Sequence, residues 1–251
     1  MVTLRNTPDW FTTPEPNPQA ELRLFCFPYA GGGETIFRRW PSHLPSTIEV
    51  CAAQLPGRGR RMKEPPRTRL STLAREIADA ARPYLDKPFA LFGHSMGAVI
   101  AFELARLLRR ETGTAPLRLF VSGHRAPQIP KSVPSIHNLP EEDFFEELRR
   151  FNGTPAEVLE HRELMGLMLP LLRADFELIE TYTYTDAEPL DCPITAFGGE
   201  RDVSVSRAEL ERWREQTAAN FFLHMFEGDH FFLNEAGPRL LQIIRRDLGT
   251  A

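Results

Sequence analysis

The chain has 251 residues and a formal net charge of −4, from 34 acidic and 30 basic side chains. This length suits one domain with a large hydrophobic core, and a hydrophobic content of 42% excludes a disordered chain. The balanced charge argues against nucleic acid as a partner. No apolar run approaches the roughly 18 residues that a membrane-spanning helix needs, so we expect no membrane insertion.

The N-terminal segment and the cysteines indicate the cellular compartment of the protein. Residues 1–20 are rich in proline, so we expect an irregular arm laid over the surface. The segment from Met1 to Glu21 lacks the apolar stretch of a secretory signal. The three cysteines are an odd number without CxxC spacing, which favours buried free thiols in a reducing, cytoplasmic setting.

After the arm, short apolar runs alternate with helical patterns. Helices are predicted for Ser71–Leu85, for Ser95–Arg109 and from about Pro238 to Asp247. Strands are predicted for six runs: Leu22–Phe27, Thr47–Gln54, Phe89–Gly93, Leu117–Gly123, Pro193–Gly199 and Phe221–Phe226. This alternation predicts an α/β fold with a mostly parallel sheet flanked by helices.

The interval from His124 to Cys192 is much longer than the dozen or so residues that a crossover needs. It holds helical patterns at Pro140–Phe151 and from about Pro155 to Tyr184, and Pro170 should bend or split the second. We expect residues 124–184 to form a helical lid over an acyl-binding chamber, inserted between core segments 21–123 and 185–251. A helical hairpin that fills the core is the alternative.

A candidate nucleophile lies in the pentapeptide GHSMG at residues 93–97, a G-x-S-x-G motif. A short apolar strand precedes it and a helix follows it. In this context a sharp turn pushes the Ser95 hydroxyl out above the sheet, and the flanking glycines avoid steric clashes. An N-capping serine without catalytic function is the simpler alternative.

A serine nucleophile needs a general base, and the base needs an orienting carboxylate. Among seven histidines we select His230, because the loop after the last strand can reach the carboxyl edge of the sheet. Asp202 is the favoured acid, with Glu200 and Asp229 as rivals. The order Ser, Asp, His is that of α/β-hydrolases.

An oxyanion hole needs two backbone N–H groups. One should belong to Met96, the residue after the nucleophile. The other should come from the glycine-rich turn after the first predicted strand, where Ala30 is favoured and Tyr29 is possible. We also expect Tyr29, Met168 and Phe231 to contribute to substrate binding. No cluster of metal ligands or cofactor motif is evident, so no metal and no cofactor are expected.

Several ordered segments together resemble the type II thioesterases that accompany modular polyketide and nonribosomal peptide synthases. The segments are FPYAGG (27–32), QLPGR (54–58), FGHSMGA (92–98), SGHRAP (122–127), LLRADF (171–176), GGERD (198–202) and GDHFF (228–232). The resemblance covers about Leu22 to Leu248. It implies a stand-alone hydrolase that removes misloaded acyl groups from the phosphopantetheine arms of acyl and peptidyl carrier proteins, with Ser95, Asp202 and His230 as its triad.

Basic residues could attract an acidic carrier protein: Arg58, Arg60, Arg61, Lys63, Arg149 and Arg150. Ordinary solvated surface charge is the alternative. Two other functions also remain open at this stage. One is a general serine esterase or lipase that acts on oxyesters, and the other is a non-catalytic α/β-hydrolase that acts as a binding protein.

Overall fold

A computed structural model of the chain describes residues 10–131, 134–151 and 162–249. A seven-stranded sheet runs through these residues in the order β1-β3-β2-β4-β5-β6-β7. The first strand is antiparallel to β3, and all other neighbouring strands are parallel. The strands are β1 Phe11–Thr12, β2 Leu22–Phe27, β3 Ile48–Ala53, β4 Phe89–His94, β5 Leu119–Ser122, β6 Ile194–Gly199 and β7 Phe221–Phe226.

The strand order reverses between β2 and β4, which are neighbours in the sheet although β3 lies between them in the chain. In open parallel sheets, such a reversal creates a crevice at the carboxyl ends of the two strands, where ligands bind. The loops that leave this crevice are the glycine-rich turn after β2 and the turn that carries Ser95. The sheet therefore fixes the position of both segments that the sequence singles out.

Helices cover both faces of the sheet. The α-helices of the described residues, including two in the insertion between β5 and β6, are α1 Leu70–Ala81, α2 Met96–Thr112, α3 Glu141–Phe151, α4 Arg162–Glu180, α5 Arg207–Glu211 and α6 Leu233–Asp247. Alternate residues of β2 enter two separate hydrophobic clusters, because successive strand side chains point to opposite faces. Phe25 and Phe27 join the cluster that includes α1 and α2, whereas Leu24 and Cys26 join the cluster that includes α6.

The α/β-hydrolase architecture is confirmed, but the structure corrects four local predictions. The arm is not wholly irregular, because Phe11–Thr12 pairs with the edge of β3 and buries Phe11. The first helix ends at Ala81, before Pro83. The last helix begins at Leu233 and contains Pro238. Helix α4 continues unbroken through Pro170 to Glu180, where we expected a bend or a break.

The long interval between β5 and β6 contains α3 and α4, as the helical patterns predict. These helices form a small cluster of their own around Phe144, Met165 and Leu172. The start of the second predicted helix, residues 155–161, lies outside the described residues. None of the helices in the described part of the chain has the length and apolar character needed to cross a bilayer.

Candidate active site

Ser95 lies at the sharp turn between β4 and α2, with φ 53° and ψ −117°. It is the one non-glycine residue with a positive φ in the described part of the chain. A Cβ at Gly93 would lie 1.9 Å from the carbonyl oxygen of Gly97, and a Cβ at Gly97 would lie 2.1 Å from that of Phe27. The turn therefore requires glycine at both positions, as the motif predicts.

The structure brings Ser95, His230 and Asp202 together from three separate loops. The Ser95 Oγ lies 3.0 Å from Nε2 of His230, and Nδ1 of the same ring lies 2.8 Å from Oδ2 of Asp202. Both contacts are within hydrogen-bond distance. This chain of hydroxyl, imidazole and carboxylate is the arrangement in which a serine can be activated by a base that a carboxylate orients.

Asp202 is held by several donors at once. Its Oδ1 accepts hydrogen bonds from the Ser204 hydroxyl at 2.5 Å, the Ser204 N–H at 2.9 Å and the Val205 N–H at 3.2 Å. Burial alone would raise the pKa of Asp202, but the hydrogen bonds from His230 and Ser204 outweigh it and lower the pKa below its ordinary value. The carboxylate is therefore charged at neutral pH.

The structure also locates the two rival carboxylates, Glu200 and Asp229. The side chain of Glu200 is exposed at the end of β6. Asp229 accepts a hydrogen bond from the N–H of Phe231 at 2.8 Å, two residues along the same turn. The geometry supports Asp202, whose Oδ2 lies 2.8 Å from Nδ1 of the His230 ring.

Two of the three predicted substrate-binding residues lie beside the triad. The rings of Tyr29 and Phe231 pack edge to face at 4.9 Å between centroids, and Phe231 packs against His230 at 5.2 Å. Met168 is half-buried and packs against the cluster of α3 and α4. Its role in binding substrate stays a prediction.

Two amides of the glycine-rich turn after β2 are engaged within the protein, and the choice between Ala30 and Tyr29 as oxyanion donor stays a prediction. The N–H of Gly31 donates to Asp175 Oδ2 at 2.7 Å, and the N–H of Gly32 donates to the Tyr29 carbonyl at 2.9 Å. Neither of these two amides is available to a substrate. Met96 is buried at the first position of α2, where backbone N–H groups and the helix dipole favour negative charge.

His94, the residue before the candidate nucleophile, is fully buried. Its Nδ1 is 2.8 Å from the Ser122 hydroxyl, and its ring centroid is 5.3 Å from that of His230. Burial, with a smaller contribution from the nearby His230, lowers the pKa of His94 well below its ordinary value. His94 is therefore neutral and supports the His230 ring by packing.

The prediction that six basic residues lie on the surface is wrong for two of them. Arg58 is buried in an ion pair with Asp175, and Arg61 is buried in one with Glu64. The Asp175 carboxylate and backbone carbonyls accept hydrogen bonds from Nη1 and Nη2 of Arg58, whereas its buried Nε has no hydrogen-bond partner among the described residues. The other members are exposed, as expected: Arg60, Lys63, Arg149 and Arg150.

Two features of the site were not assigned a role from the sequence. Ser204 bonds both Asp202 and the His230 ring, with its Oγ 3.2 Å from Nδ1. Its position two residues after an aspartate is typical of a turn in which the side chain of the aspartate accepts local hydrogen bonds. The Arg58–Asp175 pair joins segments far apart in the chain, so no local pattern could reveal it.

Comparisons with known proteins agree with this geometry. The thioesterase domain family matches residues 22–248. The chain belongs to this family. The gramicidin S biosynthesis protein GrsT of Aneurinibacillus migulanus is 47% identical over 248 residues, which are 99% of this chain and 97% of GrsT. The thioesterase PikA5 of Streptomyces venezuelae is 38% identical over 228 residues, which are 90% of this chain and 80% of PikA5.

A solved structure of a type II thioesterase is also similar to this chain. The type II thioesterase BorB from the borrelidin biosynthetic cluster matches with a TM-score of 0.87 and 37% identity, over 95% of this chain and 97% of BorB. The protein is thus a hydrolase of thioesters with the α/β-hydrolase fold. The resemblance to type II thioesterases found in the sequence is confirmed.

Proposed function

We propose that this thioesterase removes acyl groups from the phosphopantetheine arms of carrier proteins in polyketide or nonribosomal peptide synthases, and that Ser95, His230 and Asp202 are its catalytic triad. The observation that carries the triad is the continuous hydrogen-bonded chain from the Ser95 Oγ through His230 to Asp202. GrsT, which is named for gramicidin S biosynthesis, and BorB, a type II thioesterase from the borrelidin biosynthetic cluster, support the choice of substrate.

In the first step, the Ser95 hydroxyl attacks the thioester carbonyl while His230 Nε2 takes its proton. Asp202 keeps the imidazole oriented and stabilises its positive charge. The N–H groups of Met96 and Ala30 stabilise the oxyanion of the tetrahedral intermediate. The carbon–sulfur bond then breaks, and the phosphopantetheine thiol departs with the proton that His230 returns. An acyl ester of Ser95 remains.

In the second step, His230 takes a proton from water, and the resulting hydroxide attacks the acyl ester. The same two N–H groups stabilise the second oxyanion. Collapse of this intermediate returns the proton to Ser95 Oγ and releases the free carboxylic acid. Tyr29 and Phe231, which pack beside the His230 ring, form the part of the acyl site next to the reacting carbonyl. Residues 124–184 act as the lid over this site.

Carrier domains define the partner and the setting of the reaction. Their arms present the acyl group as a thioester, whose thiol is a better leaving group than an alcohol or an amine. The three cysteines of the chain are free and buried, which favours a reducing, cytoplasmic location.

The direct test is mass spectrometry of acyl-loaded carrier protein before and after incubation with the enzyme. We expect the acyl mass to disappear with the natural protein and to persist with Ser95→Ala, because the nucleophile is lost. Acyl release that continues unchanged with Ser95→Ala would exclude the covalent mechanism. Release from a matching oxyester with equal kcat/KM would favour the general esterase instead.

Docking of the carrier protein can be tested on the exposed basic residues of the loop after β3, Arg60 and Lys63. We expect the double variant Arg60→Glu with Lys63→Glu to raise KM for an acyl-carrier protein several-fold, because reversed charge slows the encounter with an acidic partner. Turnover of acyl-N-acetylcysteamine should not change.

The matched control is Arg38→Glu with Arg39→Glu, an exposed basic pair in a different loop. This control should leave KM for both substrates unchanged. If the Arg60 and Lys63 variant affects carrier-bound and small thioesters equally, the docking hypothesis is contradicted.

A further inference from the structure

Arg58 and Asp175 form a buried ion pair that the mechanism above leaves without a role. Two parallel hydrogen bonds join them, from Nη1 to Oδ2 at 2.8 Å and from Nη2 to Oδ1 at 2.7 Å. The side chains are 7% and 2% exposed. Arg58 lies in the loop after β3 and Asp175 in α4, so the pair connects the core of the fold with the helical insertion.

Both partners also bind the glycine-rich turn that follows β2. Asp175 Oδ2 accepts the N–H of Gly31 at 2.7 Å, and Arg58 Nη1 donates to the carbonyl of Gly32 at 2.9 Å. The N–H of Gly31 belongs to the same peptide plane as the carbonyl of Ala30. The pair therefore restricts rotation of the backbone on the carboxyl side of Ala30, whose N–H is the proposed oxyanion donor.

Packing of α4 reinforces the same attachment. A Cβ on Gly31 would lie 2.6 Å from Cδ2 of Leu172, and a Cβ on Gly57 would lie 3.2 Å from Cδ1 of Leu171. Both glycines have positive φ, +75° and +84°, so neither turn accepts another residue without strain. One turn of α4 is thus in close contact with the oxyanion turn and with the loop that carries Arg58.

We propose that Arg58 and Asp175 are positioning residues that hold the oxyanion turn against α4 with the N–H of Ala30 aimed at the developing oxyanion. The inference rests on the proposed function. A buried ion pair contributes little net stability compared with apolar residues of the same size, because desolvation offsets the Coulomb attraction. Its bidentate geometry does, however, fix orientation, and an oxyanion donor acts through orientation.

The first test uses two single variants, Asp175→Asn and Arg58→Lys. Asn retains the shape but loses one acceptor, and Lys retains the charge but loses the fork of parallel donors. We expect kcat for an acyl-N-acetylcysteamine thioester to fall at least tenfold, with KM within about twofold, because a misplaced oxyanion donor weakens binding of the transition state more than binding of the substrate.

A second variant keeps the test valid if a single change prevents folding. In Arg58→Met with Asp175→Leu, apolar residues of similar size replace the pair, a change that is often neutral for stability or stabilising. It removes the hydrogen bonds to Gly31 and Gly32 without leaving a buried charge. We expect a folded protein with the same loss in kcat. A purely structural role predicts normal kcat in this double variant.

The matched control is Glu49→Gln, which breaks the largely buried ion pair between Arg23 and Glu49. These residues lie on β2 and β3 toward the end of the sheet opposite Ser95. The control should lower the thermal midpoint and leave kcat unchanged at a temperature where all variants are folded. A kcat that falls less than tenfold in every folded variant of the Arg58–Asp175 pair would overturn the inference.

Affinity for an alkylboronic acid separates this inference from the proposed function. The boronate adduct of Ser95 carries a tetrahedral negative oxygen, so its affinity should fall at least tenfold in the pair variants and remain unchanged in Glu49→Gln. If the natural protein fails to hydrolyse the thioester but the boronate affinity falls as expected, the proposed function fails and the positioning role stands. If the natural protein is active and the boronate affinity does not change, the positioning role fails alone.

Discussion

The backbone of Ser95 is strained, and its neighbours hold it in that state. A φ of 53° with a ψ of −117° costs about 1–3 kcal/mol in a residue with a side chain. The N–H of Ser95 donates to the Ser122 carbonyl at 2.7 Å, and Gly93 and Gly97 allow the two sides of the turn to come into contact. The strain fixes the hydroxyl in front of His230 without help from substrate.

Ser204 provides a prediction about the acid of the triad. Its hydroxyl bonds the Asp202 carboxylate at 2.5 Å and lies 3.2 Å from the His230 ring. We expect Ser204→Ala to lower kcat about tenfold, because a hydrogen bond to a charged group contributes about 1.5 kcal/mol at the low end of its range and the two backbone donors to Asp202 remain. Steady-state kinetics on a small thioester measures the effect.

Ser206→Ala is the control in the same loop. Ser206 caps the short helix α5 through a capping box with Glu209 and makes no triad contact in the described residues. Its loss should lower stability by about 1 kcal/mol and leave kcat unchanged. Equal kcat in both variants would show that Ser204 does not assist Asp202.

At the level of whole elements, the sequence predicts what depends on local periodicity. All six long strands lie within two residues of their predicted bounds, because each is a mainly apolar run between turn residues. Five of them are mostly or fully buried, whereas β7 at the edge of the sheet is only partly buried. Strand β1 was missed because its two residues form a strand through pairing with β3, a contact far along the chain. The predicted bend or break at Pro170 is wrong, because the packing of α4 outweighs the low helix propensity of proline.

Helix α4 contains a glycine that neither packing nor backbone geometry requires. Nothing lies within 4 Å of a Cβ built on Gly166. We expect Gly166→Ala to raise the free energy of unfolding by about 1 kcal/mol, because alanine has the higher helix propensity. Chemical denaturation monitored by circular dichroism measures the change.

Gly113, which follows the last residue of α2, also has nothing within 4 Å of a Cβ built on it, but its backbone conformation does require glycine. Its φ is +67°, in the left-handed region. Gly113→Ala should therefore destabilise the fold by about 1 kcal/mol or more. A gain in stability from both alanines would contradict the role assigned to backbone conformation.

At the scale of the whole molecule, the sequence predicts the three residues Ser95, Asp202 and His230, but it does not predict the ion pair between Arg58 and Asp175. Parallel strands bring their carboxyl ends to one edge of the sheet, so the loops with Ser95, Asp202 and His230 converge for reasons of topology alone. Arg58 and Asp175 lie 117 residues apart, and their pairing depends on how α4 packs on the oxyanion turn. No period or motif encodes that packing, and from the sequence Arg58 was therefore expected to be a surface residue.

Buried neutral histidines make the stability of the whole fold depend on pH. Burial lowers the pKa of His124 to about 3, whereas an unfolded histidine titrates near 6.5. Between these values the unfolded chain binds more protons than the folded one, so the free energy of unfolding falls as the pH is lowered below about 6.5. The loss approaches about 1.4 kcal/mol per pH unit for such a group.

We expect His124→Asn to reduce this dependence. The Asn amide N–H can replace the Nδ1–H that donates to the Arg125 carbonyl, and it does not titrate. Urea unfolding at several pH values from 6.5 to 4 should give a shallower slope of the free energy of unfolding against pH than in the natural protein. The exposed His43 is the control, and His43→Asn should leave the slope unchanged. An equal slope in His124→Asn and the natural protein would mean that His124 is charged in the folded state or that burial does not set its protonation.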